Sequence, residues 1–453
     1  MCLVSHVMRG FFINTNYHFE HMSETLYVYV FLTYHVVLLM YIFYNLFLSK
    51  MRNISILLLF FISITTFSQK AKDVATTPPM GWNSWNTFGT EINEQLVKDI
   101  ADAFVDLGLR DAGYNYLVLD DGWMAKERDE NNNLVPGPNK FPNGMKDVVD
   151  YVHSRGLKFG IYNCAGNKTC AGYPGSRGFE YQDAKLYAEW GVDFLKYDWC
   201  NTENLNAKGA YQTMRDALYA TGRPILFSIC EWGDNDPWKW GEEMGHMWRV
   251  TGDIINCWDC KVGHGTWSSL GVWPIIKLRK EIRKYTGPGH WNDFDMMEVG
   301  NGMTAAEDRV HFAMWSMLSS PLIMGNDLRS ASKETIVTLT NKEVIAVNQD
   351  ELGIQAYCHS DEGELEIWVK PLHNGEWAFA FVNMSKERIE VDYEWNRHPV
   401  KDDLSNRELK ADHIVYKIRD LYNHKDLGTT KTNLKSDIGS HDVLMLRLVP
   451  DIK

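Results

Sequence analysis

Phe194-Leu195-Lys196-Tyr197-Asp198-Trp199-Cys200 is a short apolar run that ends in a carboxylate, an indole and a thiol. It is too short for a globular helix and suits a pleated surface, so it reads as a buried strand. The same pattern recurs on both sides. Leu117-Val118-Leu119 runs into Asp120-Asp121-Gly122-Trp123, and Phe159-Gly160-Ile161-Tyr162 into Asn163-Cys164. Ile225-Leu226-Phe227-Ser228-Ile229 runs into Cys230-Glu231-Trp232, and Met247-Trp248-Arg249-Val250 into Thr251-Gly252-Asp253. Met80-Gly81-Trp82-Asn83 precedes these; His290-Trp291-Asn292-Asp293 and Leu322-Ile323-Met324-Gly325 follow, making eight units.

The segments between them look helical. Leu96, Ile100, Phe104 and Leu107 share one helix face, which Gly113 is placed to help terminate. Alternating strands and helices predict a parallel sheet, and eight units within 76–351 predict a closed (β/α)8 TIM barrel. In that fold the active site lies at the C-terminal strand ends, where the acidic and aromatic clusters fall. After Leu352 the texture changes. Glu364-Leu365-Glu366-Ile367-Trp368-Val369-Lys370 alternates, Trp377 to Val382 and Val443 to Leu448 are strand-like, and His373-Asn374-Gly375 reads as a turn. Residues 352–453 are therefore expected to form an antiparallel β-sandwich.

Composition narrows the function. The 453 residues are 45% hydrophobic and carry a net charge of −13, which argues against a nucleic-acid partner. Seventeen Trp are a resource for packing and equally for stacking on sugar faces. Of eight Cys, only Cys257 and Cys260 form a Cys-x-x-Cys, without the second pair or His partner of a structural zinc site. No cofactor is implied. Disulfides are plausible if the chain is exported.

Export is what the N-terminus suggests. Met51-Arg52, the apolar run from Ile54 to Ile64, and Thr66 and Ser68 make residues 51–68 a signal peptide, with cleavage expected near Ser68. Residues 1–50 contain an apolar stretch, Tyr27 to Leu48, long enough to span a bilayer. That segment is either a membrane anchor or an upstream extension of a chain starting at Met51. A secreted or periplasmic location is expected, with a membrane association only if the apolar stretch is retained.

Asp120, Asp121, Asp198, Glu231, Asp253, Asp293 and Asp295 sit at strand ends. Two carboxyl groups suffice to hydrolyse a glycosidic bond, one attacking or activating water and one protonating the leaving oxygen. Acidic residues also cap helices at such positions, and composition alone does not choose the pair. Lys196 lies two residues before Asp198 on the same strand face, where an ammonium favours an ionised carboxylate.

Thr77-Pro78-Pro79-Met80-Gly81-Trp82-Asn83-Ser84-Trp85, Leu119 to Trp123, Lys196 to Cys200, Arg249 to Ile254, and the stretch from Gly300 through Leu322 resemble the α-galactosidases of glycoside hydrolase family 27. The resemblance implies a barrel, a C-terminal β domain and a retaining double displacement on α-galactoside oligosaccharides or polysaccharides. It puts the nucleophile at Asp198 and the acid/base at Asp253. It matches Asp120 and Asp121 to sugar-hydroxyl acceptors, Lys196, Arg249 and Tyr162 to further contacts, Trp82 to an aromatic wall, Asp295 to the sugar's border, and Cys170 with Cys200 to a disulfide beside the pocket. Glu231 resembles the residue that faces the 2-hydroxyl in galactose-preferring members. Trp232 is either a substrate contact or a packing residue. β-L-arabinopyranosidase and α-N-acetylgalactosaminidase are alternatives within the family, and a non-catalytic sugar-binding protein is one outside it.

Three features depart from the pattern. Gly233-Asp234-Asn235-Asp236-Pro237 is nearer to plant and bacterial members. Phe294 replaces a usual proline. Cys257-Trp258-Asp259-Cys260, just after Asp253, is either a small disulfide loop on the leaving-group side or a pair of thiols.

Overall fold

All eight strand-like runs pair in parallel in the computed structural model, which describes residues 33, 35–47, 70–278 and 281–451. The barrel strands are β1 (Met80–Asn83), β2 (Tyr116–Leu119), β3 (Lys158–Cys164), β4 (Phe194–Asp198), β5 (Leu226–Cys230), β6 (Met247–Arg249), β7 (Trp291–Asp293) and β8 (Leu322–Met324). Their order is β8-β1-β2-β3-β4-β5-β6-β7. The last gap is closed just beyond β7, where Met297 N–H donates to Ile323 C=O at 2.7 Å and Gly325 N–H to Met297 C=O at 2.9 Å.

Helices cover the outside. In α1 (Glu94–Asp106), Asn93 Oδ1 caps the first turn by accepting from Leu96 N–H, and Leu96, Ile100 and Phe104 are buried. One detail differs from expectation. Gly113 does not end this helix: Leu107 caps it, Gly108 turns the chain at φ 74°, and Gly113 (φ 113°) caps a separate single turn, Leu109–Ala112. Later in the barrel, α2 (Ala305–Met317) opens with a full capping box between Thr304 and Glu307.

Register fixes which side chains enter the barrel. Val118, Gly160, Phe194 and Leu226 are partners across β2 to β5, and Tyr116, Val118, Phe194, Leu226, Met247 and Trp291 form their own apolar cluster. A Cβ at Gly160 would lie 2.7 Å from Val118 Cγ2, so only glycine fits between its bulky neighbours. Side chains two residues further along each strand point the same way. Asp120, Tyr162, Lys196 with Asp198, Ser228 with Cys230, Arg249, and Asp293 with Asp295 therefore continue this inward set above an apolar plug.

The C-terminal region is antiparallel, as expected. β9 (Tyr357–Glu362), β10 (Leu365–Pro371), β11 (Trp377–Asn383), β15 (Tyr416–Asp420), β16 (Lys425–Thr429) and β18 (Val443–Pro450) form one sheet in the order β9-β10-β11-β18-β15-β16. Between them lie β12 (Ile389–Tyr393), paired with β17 (Leu434–Ile438), and β13 (Val400–Asp402), paired with β14 (Arg407–Leu409). Strand β11 shows the period-2 logic: Trp377, Phe379 and Phe381 pack with Val391, Tyr393 and Trp395 inside the sandwich, while Ala378, Ala380 and Val382 join the core shared with the barrel. Lys370 crosses this seam, with Nζ donating to Ser316 C=O (3.1 Å), Ser319 Oγ (2.8 Å) and Val347 C=O (2.7 Å).

The chain divides into two units, residues 1–68 and 69–453. In the first, residues 35–47 are helical, and among the described residues no helix is long and apolar enough to cross a membrane. The expected signal peptide and parts of the Tyr27 to Leu48 run lie outside the described residues.

Candidate active site

Asp198 closes β4 and is buried at the upper end of the barrel interior. Its neighbours in register are the small thiols Cys164 on β3 and Cys230 on β5. One Asp198 oxygen accepts from Trp199 N–H at 2.8 Å. Burial pushes its pKa up to about 7, with Asp253 and Asp120 adding to the rise and Lys196 opposing it. Lys196 Nζ itself donates to Asp120 Oδ2 at 2.8 Å and lies 5.4 Å from the Tyr162 ring centroid. Burial disfavours its charge, but Asp120 and Asp198 outweigh burial and hold it as an ammonium.

Asp120 is fixed from three sides. Asn83 Nδ2 donates to Oδ2 (2.7 Å), Asp121 N–H to Oδ1 (2.9 Å), and its own N–H donates to Ser84 Oγ (3.0 Å). Asp121 accepts from Gly122 N–H (2.7 Å) and Ala171 N–H (2.8 Å), while burial raises its pKa. The Ala171 bond ties the pair to the loop of Cys170, which is bonded to Cys200. An Asp198 oxygen lies within 4.8 Å of both sulfurs, and Tyr162 OH donates to Cys170 Sγ at 3.3 Å. Among the described residues this is the one group of potential ligands close enough to share an ion, and two of its three donors are consumed by the S–S bond.

Asp253 stands beyond β6, with its side chain 42% exposed. Arg249, buried below it, divides its Nη2 between Asp253 Oδ1 (3.0 Å) and Asp295 Oδ2 (2.6 Å). Asp295 has φ 81°, strained for a side-chain-bearing residue, and is held there by its bonds from Ile254 N–H (2.8 Å) and Met296 N–H (2.7 Å). Burial raises its pKa, against the pull of Arg249. Asp293 is likewise pushed up to about 6 by burial.

Glu231 follows β5 and is fully buried. Oε2 accepts from Asn235 N–H and Nδ2, both at 2.7 Å, while Oε1 has no hydrogen-bond partner. Burial pushes its pKa up to about 7 against those two bonds. Trp232 is half-buried and takes φ 59° at the start of this loop.

Trp82 departs from its expected place. In register, Gly81 and Asn83 pair with Tyr116 and Val118, which face the interior. Trp82 therefore faces the helices. It is completely buried, its Nε1–H donates to Asn326 C=O at 2.7 Å, and its ring centroid is 6.0 Å from that of Phe88. The inward residue is Asn83, which sequence reasoning passed over. Trp85, half-buried just beyond β1 with its N–H on Asn83 Oδ1 (2.8 Å), is the indole left partly exposed at that strand end. Asn235 was also missed as a partner of Glu231; its signal was its place four residues on, in the polar Gly233-Asp234-Asn235-Asp236-Pro237 loop that departs from the family pattern.

The chain is similar to known proteins along most of its length. Residues 77–350 match the family described as alpha galactosidase A, and residues 362–448 its C-terminal beta sandwich domain. The chain is 53% identical over 389 residues to alpha-galactosidase A of Cellvibrio japonicus, covering 86% of this chain and 96% of that protein. It is 43% identical over 376 residues to an alpha-galactosidase of Cyamopsis tetragonoloba, covering 83% and 86%. The crystal structure of alpha-galactosidase I from Mortierella vinacea superposes with a TM-score of 0.76 at 36% identity, covering 83% of this chain and 98% of that one.

Proposed function

The chain belongs to the α-galactosidases of glycoside hydrolase family 27, and from that premise we propose that it cleaves terminal α-galactosyl residues by a retaining double displacement with Asp198 as nucleophile and Asp253 as acid/base. The observation that carries the assignment is the contrast between the two carboxylates. Asp198 is sunk beside the Lys196 ammonium at the end of the barrel interior, whereas Asp253 stands half-exposed at the rim. A galactosyl ring bound above Lys196 offers hydroxyls to the fixed oxygens of Asp120 and Asp121. Asp198 attacks the anomeric carbon and forms the glycosyl–enzyme bond as Asp253 gives its proton to the leaving oxygen. Water then enters, gives a proton to Asp253, and attacks the same carbon, releasing Asp198. Two inversions leave the configuration unchanged.

The unpartnered Oε1 of buried Glu231 supports a hydroxyl acceptor next to the 2-position, and so galactose over its N-acetylamino analogue. The aromatic wall assigned to Trp82 passes in this reading to Trp85. The domain limits 76–351 and 352–453 are supported by the spans of the two family matches. Two disulfides, Cys170–Cys200 and Cys257–Cys260, support a secreted or periplasmic location.

The test is trapping. A slowly turned-over fluorinated α-galactosyl fluoride should label the peptide carrying Asp198, and Asp253→Ala should keep activity on acidic leaving groups while losing it on sugars. A label elsewhere would remove the assignment. Matched nitrophenyl α-galactoside, α-N-acetylgalactosaminide and β-L-arabinopyranoside should rank the first ahead.

A further inference from the structure

The backbone after β6 does more than carry Asp253. It continues into a hairpin, Lys261–Gly263 paired with Ser268–Leu270, whose return strand is bonded to Asp253 itself. Leu270 N–H donates to Asp253 C=O at 2.9 Å, and Ile255 N–H donates to Leu270 C=O at 2.8 Å. A Cβ at Gly252 would lie 3.2 Å from Ser268 C=O, so the chain leaving Trp267 runs against the residue preceding Asp253.

The foot of this hairpin is rigid. Cys257 and Cys260 are bonded there, Gly271 N–H donates to Cys260 C=O (2.8 Å), and Val272 N–H donates to Cys257 C=O (2.9 Å). A Cβ at Gly271 would come within 2.7 Å of Cys257 C=O, so no larger residue fits. Trp258, within the disulfide loop, is sandwiched by Trp273 (5.9 Å) and His441 of the sandwich domain (4.9 Å). The tip is the opposite. Trp267 is 51% exposed. One face of its indole stacks on His264 at 4.1 Å, and His264 is itself tied to Ser269 Oγ at 2.9 Å.

A large indole, backed on one side, open on the other and hydrogen-bonded through its strand to the acid/base, has a chemical use. We propose that Trp267 is a platform for the leaving group, stacking on the pyranose ring attached to the galactosyl oxygen. The inference rests on Asp253 being the acid. Its proton goes to the bridging oxygen, so whatever lies beyond that oxygen departs on the Asp253 side, where the hairpin stands. Flat apolar sugar faces stack on indole rings. The platform therefore selects galactose linked to another sugar, as a terminal unit of an oligosaccharide or a branch on a polysaccharide, over galactose on a small or flexible alkyl group.

The experiment compares two substrates in the full chain: an α-galactosylated manno-oligosaccharide, and α-galactosyl fluoride, which has no leaving-group ring. Trp267→Ala should lower kcat/KM on the oligosaccharide about five- to tenfold, mainly through KM, and that on the fluoride by no more than about twofold. Trp267→Phe, which keeps a ring, should recover most of the loss. An equal loss on both substrates would mean that the hairpin only positions Asp253, and no loss on the oligosaccharide would remove the platform; either overturns the proposal. Failure of the underlying assignment reads out separately: Asp253→Ala would then treat fluoride and oligosaccharide alike, whatever Trp267 does.

Discussion

Replacing Asp198 by Asn should abolish turnover and, at alkaline pH, make the protein more stable. Burial holds the Asp198 pKa at about 7 in the fold against an ordinary 3.8. The folded value lies above the unfolded one, so ionisation is disfavoured in the native state. The carboxyl's favourable contribution is complete below about pH 4 and is lost as pH climbs through 7. A difference of about three pH units, at about 1.4 kcal/mol each, amounts to about 4 kcal/mol above pH 8. An amide escapes this cost: it cannot ionise, its Oδ1 can still accept the Trp199 N–H, and Lys196 keeps Asp120 as its partner. With an unfolding entropy near 2 cal/mol/K per residue, 4 kcal/mol in a chain of this size corresponds to a Tm rise on the order of 5 °C. The assay is differential thermal melting of parent and Asp198→Asn at pH 5 and pH 8. Titrating groups remote from Asp198 cancel in the difference between the two proteins, leaving Asp198 and the Lys196, Asp253 and Asp120 charges coupled to it. A Tm difference that is the same at both pH values, or a parent more stable at pH 8, would refute the reasoning.

Lys196→Met removes the ammonium that opposes the rise of the Asp198 pKa. Since the nucleophile must be ionised, the acid limb of kcat/KM should move to higher pH by roughly one to three units; an unmoved limb would exclude the coupling. Glu231→Ser removes the carboxylate with the orphaned Oε1 and opens space beside it. Activity on α-galactoside should drop about ten- to hundredfold while the ratio of N-acetylgalactosaminide to galactoside activity rises, and an unchanged ratio would remove Glu231 from the pocket. The two disulfides close loops of very different length, separated by 30 and 3 residues. Loop-closure entropy assigns about 4 kcal/mol to the first and about 2 to the second, so Cys170→Ser with Cys200→Ser should lower Tm about twice as much as the Cys257, Cys260 double serine variant; the reverse order would contradict that account.

The strand-ending runs were legible because each couples an apolar core to a polar end, and both domains followed from the change of period near Leu352. Facing was not legible in β1. Barrel strands are covered on both sides, so all four residues of Met80–Asn83 are buried and no alternation tells Trp82 from Asn83. Only the pairing of Gly81 and Asn83 with the inward residues of β2 decides it. Asp198 was easier, because Lys196 shares its strand and parity is intrinsic to the chain. The division of Arg249 between Asp253 and Asp295, and the grip of Asn235 on Glu231, depend on how loops close, which local pattern does not encode.

Cys164 donates its thiol to Cys200 C=O at 2.9 Å, beside a residue already committed to the bond with Cys170. Exchange needs a thiolate, and burial with Asp198 nearby pushes the Cys164 pKa far up, so the native protein keeps its pairing even in mild alkali. Unfolding ends that protection: Cys164 and Cys230 return to ordinary thiols within one chain that still carries two disulfides. Heat inactivation above about pH 8 should therefore pass into scrambled isomers, while the same exposure at pH 5, where thiolate is scarce, leaves a chain that can find its way back.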